Sequence, residues 1–62
     1  MIQFIKDDGT YFYVITEKGR TYFMSKNRAQ LMGYNERTWT IKRDNYVTTY
    51  DERGNIVGRH NI

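Results

Sequence analysis

The sequence predicts a mainly β domain with one short helix, a small α+β fold, on three observations. Runs of β-branched and aromatic residues alternate with a period of two. Three boundaries between such runs carry a turn ending in glycine: Asp7-Asp8-Gly9, Glu17-Lys18-Gly19 and Glu52-Arg53-Gly54. No proline interrupts any ladder. The predicted layout is β-β-β-α-β-β-β, two antiparallel three-stranded meanders joined by the helix into a small barrel or a curved, helix-capped sheet.

The first strand covers residues 2–6 and enters a turn suited to three residues closing on a left-handed glycine. With Lys6 opposite Thr10, Phe4 faces Phe12 and Ile2 faces Val14 along one apolar stripe. A two-residue loop at Asp8-Gly9 sets Phe4 beside Tyr13 instead, and any one-residue slip exchanges the faces. The hairpin at residues 10–25 organises the chain. Its first arm is apolar on both faces, Tyr11, Tyr13 and Ile15 alternating with Phe12 and Val14, so it is expected to be a central strand covered on two sides.

Residues 25–33 change period. Ser25 suits a cap, Ala29, Leu31 and Met32 supply apolar positions, and Gly33 suits a C-terminal stop, which together predict the helix. From residue 37 the period returns to two, with Trp39 and Ile41 on one side and Thr38, Thr40 and Lys42 on the other. Asp44-Asn45 makes a tight turn into residues 46–50. Asp51 then opens the last turn, and residues 55–59, with Gly58 among them, read as an edge strand. The expected core is Phe4, Phe12, Val14, Phe23, Leu31, Trp39, Ile41, Val47 and Ile56. Across the last turn, Tyr50-Asp51-Glu52-Arg53-Gly54-Asn55-Ile56 resembles, once and over these residues only, the tyrosine-aspartate repeat hairpin of bacterial Rhs-type shell proteins. The resemblance implies the hairpin geometry that such residues favour.

The chain of 62 residues reads as a single compact domain, 1–62. A domain of this size buries about 60% of the surface its unfolded chain exposes, so its core must be small. It has no cysteine and one histidine, His60, near the C-terminus, so neither a disulfide nor a zinc site is available to staple it. Six Tyr, three Phe and one Trp must carry the packing, with self-association as a further route to stability. The first residues show no basic segment followed by an apolar run, and nothing approaches the roughly 20 apolar residues of a membrane span. The expectation is a complete small gene product, cytoplasmic and not membrane-associated.

Charge and residue types narrow the function. Catalysis needs convergent groups with tuned pKa values, and the paired acids Asp7-Asp8 and Asp51-Glu52 fall at turn tips, where carboxylates serve the backbone. No phosphate-loop, dinucleotide, nucleophile-elbow or calcium-loop spacing occurs, so catalytic, cofactor-binding and metal residues are predicted as none and no cofactor is expected. The net charge of +3 is uneven: residues 18–35 hold Lys18, Arg20, Lys26 and Arg28 with no acid at all, and Lys42-Arg43 forms a second basic group. Tyr11, Tyr13 and Tyr22 accompany the first group. Tyr11, Tyr13, Lys18, Arg20, Tyr22, Lys26 and Arg28 are therefore the candidate binding surface.

Two functions follow from that surface. In one, tyrosine and arginine anchor a protein partner or a second copy of the chain, and the protein is a non-enzymatic regulator or inhibitor like many bacteriophage accessory proteins. In the other, the cations contact phosphates while the tyrosines stack on bases of single-stranded nucleic acid. The alternative for these same tyrosines is a structural one, in which the helix packs across them and closes a core. The protein-binding reading is the one adopted from the sequence.

Overall fold

Carboxylates and left-handed residues close the hairpins. The Asp8 Oδ1 atom accepts hydrogen bonds from the Thr10 and Tyr11 amides at 2.8 and 2.7 Å, and Asp51 Oδ1 accepts from Arg53 and Asn55 at 2.8 and 2.9 Å. These are the bonds that make acids favourable in turns. Asp44, at φ +53°, carries the two-residue connection that the sequence placed at Asp44-Asn45. The hairpin implied at residues 50–56 is present, with Gly54 at φ +86°.

The computed structural model describes residues 1–61, and these form seven strands in two antiparallel sheets. β1 (Ile2–Asp7), β2 (Tyr11–Thr16) and β3 (Gly19–Ser25) make a three-stranded meander with β2 central. β4 (Gln30–Tyr34), β5 (Thr38–Arg43), β6 (Tyr46–Asp51) and β7 (Ile56–Asn61) make a four-stranded one with β7 at its edge. All six predicted strands are found, and the domain is mainly β as the sequence indicated. Among the described residues there is no helix, hence none long and apolar enough to cross a membrane.

Two architectural expectations are corrected. The helix at residues 25–33 is instead a turn followed by β4. Asn27 and Arg28 take left-handed angles of +43° and +66°, the Ala29 amide donates to the Lys26 carbonyl at 2.7 Å, and the chain reverses. A helix of nine residues gains few hydrogen bonds for its nucleation cost, whereas Gln30, Leu31, Gly33 and Tyr34 pair with Lys42, Ile41, Thr40 and Trp39 of β5. Gly33, read as a helix stop, sits where the β4–β5 register shifts between Leu31 and Gly33. Nor does the sheet close into a barrel or take a helical cap. The sheets meet as layers, joined beside β1 by the Ile2 amide donating to the Glu36 carbonyl at 2.7 Å.

The core lies between the layers. Phe12 and Val14 from β2 meet Trp39 and Ile41 from β5, and these four are the fully buried large side chains. Each contributes about 1.5–3 kcal/mol of burial free energy. Trp39 stacks on Tyr50 with centroids 4.9 Å apart, meets Phe12 edge-on at 6.2 Å, and donates its indole N–H to the Asp51 carbonyl at 2.9 Å. Its polar edge is thereby satisfied inside an apolar site.

Five of the nine expected core positions stand differently. Phe4, Phe23 and Ile56 are exposed, at 44%, 53% and 57%, while Leu31 and Val47 are half-buried. The β1–β2 register pairs Ile5 with Val14 and Phe4 with Ile15, three residues from the favoured alignment, and an odd shift exchanges faces. A bulge between Ile2 and Phe4 then returns Ile2 to the inner face beside Ile5. Ile2, Ile5 and Ala29 complete the buried set in place of the missing aromatics. Ile56 pairs with Tyr50 on β7, a strand whose described residues are all exposed.

Candidate functional site

The face of the three-stranded sheet turned away from the core is not covered. Alternation along β2 sends Phe12, Val14 and Thr16 inward and leaves Tyr11, Tyr13 and Ile15 outside. On β3 a bulge between the Val14 and Ile15 pairings leaves Thr21 unpaired, so that Phe23 lies opposite Tyr13 and Arg20 opposite Ile15. On β1, Phe4 and Lys6 lie opposite Ile15 and Tyr13. Phe4, Tyr11, Tyr13, Ile15 and Phe23 thus occupy one continuous outer face.

The aromatic rings on it touch. Phe23 meets Tyr11 near edge-on, with centroids 5.9 Å apart and planes at 75°, and meets Tyr13 at 6.1 Å. Tyr11 and Tyr13 lie 6.1 Å apart. The Arg20 guanidinium spans the pair, 5.2 Å from the Tyr13 centroid and 5.5 Å from that of Phe23, within cation–π range. Beside it a hollow is lined by Lys6, Asp8, Tyr13, Ile15 and Arg20. Partial desolvation and the neighbouring Asp8 carboxylate hold the Tyr13 phenol above its ordinary pKa. The Asp8 carboxyl is held below its own by the amides of Tyr11 and Thr10.

Of the residues predicted from the sequence, Tyr11, Tyr13 and Arg20 come together here. Tyr22 does not: it lies opposite Val14 on the inner face, half-buried, with its ring 6.2 Å from Trp39. Lys26 folds onto Asp7, its Nζ 2.8 Å from Oδ2, and lies 5.5 Å from the Phe12 ring centroid. Lys18 and Arg28 occupy the turns at opposite ends of β3, roughly 20 Å apart at the ordinary rise of a strand. The run of positive charge in the sequence is therefore not a patch in space. The second basic group also divides, since Arg43 shares the inward face of Trp39 and Ile41 while Lys42 shares that of Thr40.

Sequence reasoning missed Phe4, Lys6, Ile15 and Phe23 as members of this surface. The alternation of Tyr11, Tyr13 and Ile15 was a sufficient signal for Ile15. Phe4 depends on the β1–β2 register and Phe23 on the bulge at Thr21, for neither of which the sequence carries a marker. The structure brings no group of three or more His, Asp or Glu side chains into metal-holding proximity among the described residues.

Searches against protein-family models, curated proteins and solved structures found no match to this chain.

Proposed function

We propose that this domain is a non-enzymatic binding protein, a regulator or inhibitor that occupies a partner protein with the outer face of β1, β2 and β3. One observation carries the reading: a continuous layer in which Phe4, Tyr11 and Phe23 are exposed and Tyr13 and Ile15 half-buried lies on the outer face and is crossed by Arg20. Isolated apolar residues on a surface need no explanation, whereas a contiguous aromatic layer with arginine has the composition of interface anchors. Lys6 and Arg20 stand on the same face, so two copies apposed there would set like charges together. The chemistry favours a partner that presents carboxylates beside an apolar surface. Nucleic acid is less favoured, because Lys26 is paired with Asp7 and Lys18 and Arg28 lie at opposite ends of β3.

The test is capture from extracts of the source cell on immobilised wild-type protein, Phe23→Glu and Tyr13→Ala, with and without nuclease. Circular dichroism establishes that the variants fold. The expected result is a specific protein retained by the wild type, indifferent to nuclease, and lost with both variants. Retention by Phe23→Glu, or release of the bound material by nuclease, overturns the reading.

A further inference from the structure

The two sheets differ by one strand, and the mismatch leaves a second surface uncovered. On the inner side of the four-stranded sheet, beyond Trp39, a cleft of about 320 Å³ is lined by residues including Arg43, Tyr46, Thr48, Tyr50, Ile56 and Arg59. Register places these together. Arg43 pairs with Tyr46, Ile41 and Arg59 both pair with Thr48, and Tyr50 pairs with Ile56. The Arg59 guanidinium leans onto the Tyr46 ring, 4.6 Å from its centroid, so the two arginines flank that tyrosine from either side of β6.

Among the described residues, neither guanidinium has an anionic partner. The three ion pairs formed among the described residues involve other groups, and Asp44 is the one acid among the lining residues. Arg43 is half-buried. One of its terminal nitrogens donates to the Lys26 carbonyl at 3.3 Å, while its Nε is inaccessible and has no acceptor. Two guanidiniums lining one cleft with a single acid among them give it a net positive charge, which an oxyanion would offset through charge-assisted hydrogen bonds. The rest of the lining supplies Thr48, Tyr46 and Tyr50 hydroxyls as donors, with Ile41 and Ile56 as an apolar floor.

We propose that this cleft is a binding site for a phosphate monoester carrying an aromatic or apolar group. Two guanidiniums and neighbouring hydroxyls present more donors than the two oxygens of a carboxylate accept, and they match the three terminal oxygens of a phosphate. The floor of Tyr50 and Ile56 takes the ester group. The site is separate from the outer face of β1–β3 and does not depend on what binds there.

The probes are phenyl phosphate, inorganic phosphate and benzoate, titrated into 15N-labelled protein while the arginine Nε–Hε and backbone amide resonances are followed. Phenyl phosphate is expected to shift the Arg43 and Arg59 Nε–Hε signals and the Tyr50 amide saturably, inorganic phosphate to shift the same arginine signals with lower affinity, and benzoate to bind more weakly than phenyl phosphate. Arg59→Gln, on an exposed edge strand, is expected to leave the remaining amide spectrum in place and weaken phenyl phosphate by about tenfold or more. Arg59→Lys, which keeps the charge but not the fork, provides the same test should the glutamine variant fold poorly. No saturable shift with phenyl phosphate up to about 10 mM, unchanged affinity in the variants, or benzoate binding as tightly as phenyl phosphate, overturns the proposal.

Discussion

Gly54 lies directly against the ring of Tyr22. A Cβ at this position would fall among the ring atoms, and the backbone angle of +86° is itself one that L-residues seldom adopt. The contact seats β3 on the β6–β7 turn, a junction also made by the Thr21 hydroxyl donating to the Glu52 carbonyl at 2.8 Å. Gly54→Ala is expected to cost about 3 kcal/mol, roughly half from the left-handed backbone and half from displacing the ring. Gly9→Ala meets the same backbone penalty with open space around it, so its cost is about 1–2 kcal/mol. Urea denaturation of the two variants separates the terms. Equal costs would mean that the Tyr22 ring yields freely.

Phe12 and Phe23 stand on adjacent strands, β2 and β3, with opposite fates. Phe12 is fully buried against Trp39, whereas Phe23 stands outside among Tyr11 and Tyr13. Phe12→Ala is expected to cost about 3–5 kcal/mol, most of the stability available to a domain this small. Phe23→Ala loses ring contacts alone and should cost about 1 kcal/mol or less. Chemical denaturation of both checks the assignment of faces, and a comparable loss for Phe23 would place that ring in the core.

These two phenylalanines also show how far the sequence could be read. Turn chemistry was legible: the glycine turns, Asp44-Asn45, the capping role of Asp8 and Asp51, and the central position of β2 all follow from local residue preferences. Burial of Phe12, Val14, Trp39 and Ile41 followed from alternation. Face assignment on β1 and β3 was not legible, because the β1–β2 register is offset by an odd number of residues from the favoured one and the unpaired Thr21 inverts the side chains of β3 beyond it. Tyr22 and Phe23 exchanged roles for that reason, and with them the composition of the candidate surface. The helix was misread because apolar spacing over nine residues does not distinguish a short helix from a turn and a bulged strand.

The misread segment yields a test whose sign decides. Arg28 sits at φ +66° in the turn before β4. A side chain there costs about 1–2 kcal/mol, while glycine avoids that strain at an unfolded-state entropy cost of about 0.5–1 kcal/mol. Arg28→Gly should therefore stabilise the domain slightly, raising the urea midpoint at unchanged m-value. Were residues 25–33 helical, the same change would destabilise by about 1 kcal/mol.

The turn carboxylates make stability depend on pH in a definite direction. Asp7 is held below its ordinary pKa by the Lys26 ammonium and then the Gly9 amide, Asp8 by the amides of Tyr11 and Thr10, and Asp51 by the amides of Asn55 and Arg53. A carboxyl whose folded pKa lies below its unfolded value releases its proton more readily in the native state. Its contribution is fully present above the unfolded value of about 4 and is lost as pH falls through the folded one. Urea midpoints should thus be level from about pH 5 to 7 and fall below about pH 4, as far as these groups determine them. Asp51→Asn keeps an oxygen acceptor for the turn but cannot titrate, so it should flatten the acid limb in proportion to its share. Salt distinguishes the causes. Asp7 owes its shift first to an exposed ion pair, which about 0.5 M salt screens, whereas Asp8 and Asp51 owe theirs to backbone hydrogen bonds that salt leaves intact. Added salt should therefore reduce the acid dependence of the wild type more than that of Asp7→Asn, which keeps the exposed pair of the N-terminal ammonium with Glu17, and an equal salt response in both proteins would show that the Lys26 pair contributes nothing to it.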